Sequence, residues 1–175
     1  MSILTNQQQT LAMICSKYLT HLSREYVSLE SEYDFIPDDA IAIFKIANPT
    51  VNLTKYIERL IRYLKLIDDD IFYAIGLIEH FICICAKRYT YILTPYTVHE
   101  LLATSILITM KINTDAFFGN KYCAKVFGVS DLILARCELN FLVYLQFSVI
   151  IPTEIFEKYK RSICISIEES LIDKN

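Results

Sequence analysis

The stretch from Thr97 to Ile112, TVHELLATSILITMKI, constrains the fold more than any other. It carries two full charges in sixteen residues, Glu100 near its start and Lys111 near its end. Between them LLATSILITM has no charge, Gly or Pro, which predicts a helix that is apolar around most of its circumference and buried on most sides. Such a helix sits at the centre of its domain. Thr97 followed three positions later by Glu100 reads as a capping box, each side chain satisfying a backbone donor at the helix start. Ala103, Thr104 and Ser105 are small enough to let neighbouring helices approach closely. Lys111 must reach solvent or find an acceptor.

The rest of the chain supplies partners for that helix. Only 3 Gly and 4 Pro occur among 175 residues, with 54% hydrophobic and 21% charged, a bias towards long helices and short turns and hence an all-α fold. This length buries one substantial core without metals or disulfides. Residues 1 to 9 are polar and read as a frayed start. Leu11, Ile14, Cys15, Tyr18, Leu19 and Leu22 then recur at helical spacing, with Lys17, His21 and Ser23 on the other face. Phe35 and Ile36 are expected to tack the following acidic connection to the body, and Asn48-Pro49 marks a turn. A second helix starts near Asn52 or Thr54 and faces inward with Ile57, Leu60, Ile61 and Leu64.

Asp68, Asp69 and Asp70 open a third helix, where carboxylates suit the positive end of the backbone dipole. Without further oxygen ligands at loop spacing they do not read as a metal site. That helix is apolar nearly all round and holds Glu79 and His80, which need partners if buried. Gly119 and Gly128 bracket a short helix, and Ser130 caps the next, DLILARCELNFLVYL. Its inner acid, Glu138, is costly to bury unless paired, and Lys111 has the same difficulty. The two ions either face each other or each lie at a solvent edge. Pro152 and Thr153 open a last helix with Ile155, Phe156, Tyr159 and Ile163 inward.

Several functions find no support. A net charge of -3, with no Lys/Arg run longer than a pair, leaves no electrostatic footprint for nucleic acid. The longest uncharged run, Leu139 to Thr153, is fifteen residues and is interrupted by Gln146, Ser148 and Pro152, short of the roughly 20 apolar residues that span a bilayer. The six cysteines lie scattered in apolar stretches, which fits free thiols in the nucleus or cytoplasm. Cys83 and Cys85, two apart on a helix, have poor geometry for chelation and read as core packing. His80 and His99 read as hydrogen-bonded or boundary histidines, because no second ligand or catalytic partner accompanies them. No phosphate cradle, HExxH or nucleophile elbow is present. An all-α binding protein with no cofactor and no catalytic residues is expected.

The motifs NPTVNLTKYIERLIRYLKLIDDD, TVHELLATSILITMKINTDAFFGNKYCAKVFGVS and DLILARCELNFLVYLQFSVIIPTEIFEKY resemble the first, third-to-fourth and fifth helices of a cyclin box. The similarity is to P-type (U-type) cyclins related to the fungal phosphate-pathway cyclin, over roughly residues 35 to 159. It implies a five-helix box over 35–151, flanked by an N-terminal helix within 1–34 and a C-terminal helix and tail in 152–175. It also implies a regulator of a cyclin-dependent protein kinase, with Lys111 and Glu138 as an ion pair on the kinase-binding surface. Ile108, Ile112, Phe147 and Val149 join them by the same resemblance, core packing being the nearer alternative for Ile108 than for Phe147. Asp115 is the candidate acid for arginines of the kinase. Where cyclins commonly carry Asp-Arg in the second box helix, this chain has Glu79-His80. A cyclin-fold scaffold in transcription or signalling that activates no kinase is the alternative. The exposed docking face leaves self-association of the isolated chain open.

Overall fold

The structure, a computed structural model, describes residues 4–29, 44, 51–86, 93–114 and 118–172. Among them the regular elements are helices: α1 Asn6–Leu29, α2 Leu53–Leu64, α3 Asp68–Ala86, α4 Val98–Asn113, α5 Asn120–Phe127, α6 Asp131–Tyr144 and α7 Thr153–Ile172. The expected all-α fold is observed. Phe35, Ile36, Asn48, Pro49 and Asp115 lie outside the described residues.

The predicted central helix is α4. Every residue from Val98 to Met110 is buried, including three hydroxyl residues whose side chains bond back to their own helix. Thr104 Oγ1 donates to Glu100 O at 2.7 Å, Ser105 Oγ to Leu102 O at 3.0 Å and Thr109 Oγ1 to Ser105 O at 2.8 Å. Satisfied this way, small polar residues can be buried without leaving an unpaired donor. α3 shares the centre, packing most extensively on α4 and also on α6 and α7. Phe81 of α3 is the hub of that contact: its ring stacks on Phe141 of α6 at 4.4 Å and meets Phe44 and Tyr144 edge-on. This aromatic anchor fixes how α6 lies against the core.

Local signals set most helix ends. Asn52 caps α2 by accepting from Thr54 N at 2.9 Å, and Ser130 caps α6 by accepting from Ile133 N. Gly128, at φ +81, closes α5 in the left-handed region that glycine enters without steric cost. Ile57, Leu60, Ile61 and Leu64 are all buried as their spacing predicts.

Four expectations are corrected. Residues 1 to 9 are not all frayed, because α1 begins at Asn6 with a reciprocal box: Gln8 N donates to Thr5 Oγ1 and Thr5 N to Gln8 Oε1. Thr97 and Glu100 form no such box. The Thr97 hydroxyl accepts from Thr94 N at 2.8 Å instead, because the turn before α4 brings that amide to it. Ser23 is buried, its hydroxyl donating to Thr20 O. Ile155 is 37% exposed, while Ile163 alone of the four inward residues of α7 is fully buried and Phe156 and Tyr159 are half-buried.

Candidate functional site

Lys111 ends α4 and Glu138 lies in the middle of α6, and the packing of these two helices brings them together. The Lys111 ammonium donates to Glu138 Oε1 at 2.5 Å, and Asn120 Nδ2, at the start of α5, reaches Glu138 Oε2 at 3.4 Å. The side chains are 28% and 16% exposed, so the pair stands at the surface rather than within the core. Lys111 also sits in the last turn of its helix, where the backbone dipole favours a cation. Cys123 lies close enough to feel both ions. Burial pushes its thiol up, with Lys111 acting against the rise and Glu138 adding to it.

The helix that carries Glu138 also has an exposed apolar strip. α6 buries Leu134, Cys137 and Phe141 on one side but leaves Leu132, Leu139 and Val143 more than half exposed on the other. Leu139 and Val143, four residues apart, share one helical face. Beyond the helix Phe147 is 64% and Ile150 69% exposed. These exposed large apolar side chains all fall within residues 132–150.

The turn that carries Phe147 is unusual. α6 ends in a Schellman arrangement, Phe147 N donating to Leu142 O at 2.8 Å and Gln146 N to Val143 O at 3.0 Å. Gln146 and Phe147 both hold positive φ, +50° and +59°, a left-handed conformation that costs an L-residue about 1 kcal/mol or more. Neither is glycine. The strain is kept while the Phe147 ring points into water.

The cyclin family's sequence profile matches residues 4–149 of this chain. The chain belongs to the cyclin family. Among its relatives are Cyclin-U1-1 of Arabidopsis thaliana, 28% identical over 74% of this chain and 59% of that protein, and Cyclin-P3-1 of Oryza sativa subsp. japonica, 30% identical over 69% and 48%. A third, PHO85 cyclin-like protein psl1 of Schizosaccharomyces pombe, is 27% identical over 88% of this chain and 66% of its own length. This cyclin spans about half the length of the two plant relatives, and its box is of the P/U type.

The residues singled out from sequence have different surroundings. Lys111 and Glu138 meet, and the alternative of two separate solvent edges is ruled out. Phe147 is exposed, whereas Val149 and Ile112 are half-buried against the core. Ile108 is only 3% exposed and takes the core alternative, because it lies one turn further into a helix buried on all sides. Asp115 lies outside the described residues. Leu139, Val143 and Ile150 were not anticipated. Their signal was present, since a helix apolar around its whole circumference but packed on one side must expose the remainder.

Glu79 and His99 have structural partners. Glu79 accepts from Tyr18 of α1 at 2.5 Å; burial pushes its carboxyl up and the tyrosine opposes the shift. His99 Nε2 donates to Val51 O at 3.0 Å while its ring lies 4.9 Å from Tyr56, and burial holds its pKa down. It is a hydrogen-bonded core histidine. Cys83 is exposed and Cys85 buried, so only the second is core packing. Among the described residues no helix is long and apolar enough to cross a membrane.

Proposed function

We propose that this cyclin is a non-catalytic regulatory subunit that binds a cyclin-dependent protein kinase and holds the kinase C helix in its active position. The observation that carries the reading is the Lys111–Glu138 pair, partly exposed at the surface, with exposed apolar side chains on the same helix as Glu138. An ion pair at a surface can turn its remaining donors and acceptors to the backbone of a partner helix, while exposed Leu139, Val143 and Phe147 supply the apolar anchors from which interfaces draw most of their energy. Relatives named as PHO85 cyclins support the same reading.

The mechanism follows from kinase physics. A protein kinase is active when the glutamate of its C helix pairs with the β3 lysine that holds the ATP phosphates. A rigid surface that binds the inward C helix more tightly than the outward one shifts the population to the active state. The cyclin contributes no reacting group. We place this activity in the nucleus or cytoplasm, where its thiols stay reduced.

The test is an affinity pull-down of the tagged chain and its Lys111→Glu variant from the source cell, with mass spectrometry and a kinase assay on the eluate. Recovery of an active kinase with wild type only is expected. An equal yield of kinase activity with Lys111→Glu removes the ion pair from the interface, and no kinase with either chain points to a scaffold that activates none.

A further inference from the structure

The strained turn that presents Phe147 is held from outside its own segment. Tyr73, on α3, donates its hydroxyl proton to Val149 O at 3.1 Å and accepts from Ile151 N at 2.9 Å. Within the turn the amides of Gln146, Phe147, Ser148 and Val149 all bond to backbone oxygens of residues 142–147. These local bonds let the turn form but do not attach its far end to the core. Val149 and Ile151 pack on the core through their side chains, and the Tyr73 oxygen, closing on a carbonyl and an amide two residues apart, adds the hydrogen-bonded attachment of their backbone. Its ring packs 5.6 Å from that of Phe156, so the hydroxyl is aimed by two neighbouring elements.

We propose that Tyr73 is the positioning residue of the docking surface, clamping residues 149–151 so that Phe147 is kept in its left-handed conformation and aimed at the partner. This rests on the reading of the Phe147 turn as a kinase contact. Two consecutive left-handed non-glycine residues relax once their surroundings stop over-determining them. With the clamp removed, the turn samples other conformations and Phe147 must be ordered again at each binding event. Binding then loses affinity through that ordering cost rather than through any lost contact. Tyr73 touches no partner in this scheme.

Tyr73→Phe isolates the effect, because it deletes one oxygen and keeps the ring against Phe156. In the full chain without kinase, amide exchange at Ile151 should speed up at least about tenfold, since this amide loses its acceptor, with the α4 amides unchanged. Exchange at Ile151 equal to wild type overturns the proposal. With the kinase recovered by the wild-type chain as the probe, Tyr73→Phe should weaken binding about tenfold, equivalent to about 1.4 kcal/mol, and should add less than about twofold in a Phe147→Ala background. A purely structural role would lower affinity equally in both backgrounds and would overturn the proposal. If Phe147→Ala binds as tightly as wild type, the docking reading itself fails and takes the proposal with it. If Phe147→Ala is weakened and Tyr73→Phe is not, only the clamp fails.

Discussion

Tyr159 of α7 lies directly over Gly76 of α3: a Cβ placed on the glycine would meet Tyr159 Cδ2 at 2.9 Å and Ile151 Cδ1 at 3.2 Å. The ring is stiff and cannot swing aside as a methyl group can. Gly76→Ala gains up to about 1 kcal/mol of helix propensity and loses about 1–3 kcal/mol to overpacking. A net loss of about 1 kcal/mol is expected, read as a fall of about 2–4 °C in thermal midpoint. A raised midpoint would show that α7 can shift freely.

Lys111 and Glu138 are expected to matter far more for binding than for stability. The pair is partly exposed, so Lys111→Ala should cost only about 1 kcal/mol in urea denaturation, yet abolish kinase recovery. Lys111→Met combined with Glu138→Leu removes both charges and should regain most of that stability. It should not regain the kinase. Recovery of binding by this double variant would mean that the interface reads shape alone.

Glu100 makes stability depend on pH. It is 7% exposed and its Oε2 has no hydrogen-bond partner. Burial pushes the carboxyl from 4.5 up to about 7. Between those values the folded chain holds a proton that the unfolded chain has released, so this group's contribution falls as pH rises through the window and is level above about pH 7. Tyr56 from α2 and Cys137 from α6 face it, both pushed up by burial first and by Glu100 second. His99 acts in the opposite sense: its pKa is held below 6.5 by burial, so the unfolded chain binds the extra proton and stability rises with pH up to that value. Glu100→Gln keeps the shape and removes the acid. Denaturation of both chains from pH 5 to 8 should show the variant gaining on wild type by an amount on the order of 1 kcal/mol as pH rises. Parallel curves would mean that Glu100 ionises normally.

Thiol reactivity should follow burial. Cys83 and Cys164 are exposed, while Cys15, Cys85, Cys123 and Cys137 are buried. Burial is the main reason that the Cys15 and Cys137 thiols are pushed up to about 12, which leaves almost no thiolate to react near neutral pH. Native alkylation at pH 8 followed by peptide mass spectrometry should label Cys83 and Cys164 and spare the other four. Labelling of Cys137 at a comparable rate would mean that α6 opens readily.

Much of the fold was legible because its signals act within one or two helical turns. The caps at Asn52 and Ser130, the glycine ending α5 and the inward faces of α2 and α4 each depend on residues a few positions apart. The same range limit explains the errors. Thr5 with Gln8 and Thr97 with Glu100 match one capping pattern, yet only the first forms it. The second fails because the turn from Thr94 engages the threonine and the helix buries the glutamate.

The site was legible as residues but not as an arrangement. Charge and burial alone marked Lys111 and Glu138 as two ions in need of partners; that they are each other's partner depends on how α4 and α6 pack around Phe81 and Phe141. The run LNFLVYLQFSVIIPT contains nothing that separates buried Phe141 from exposed Phe147, since both are phenylalanines in an apolar stretch. The difference comes from the left-handed turn at Gln146 and Phe147 and from a tyrosine more than seventy residues earlier. Backbone propensity and capping are short-range and survive in the order of residues. Which apolar side chain faces water is set by contacts between distant segments, and these exist only once the helices have packed.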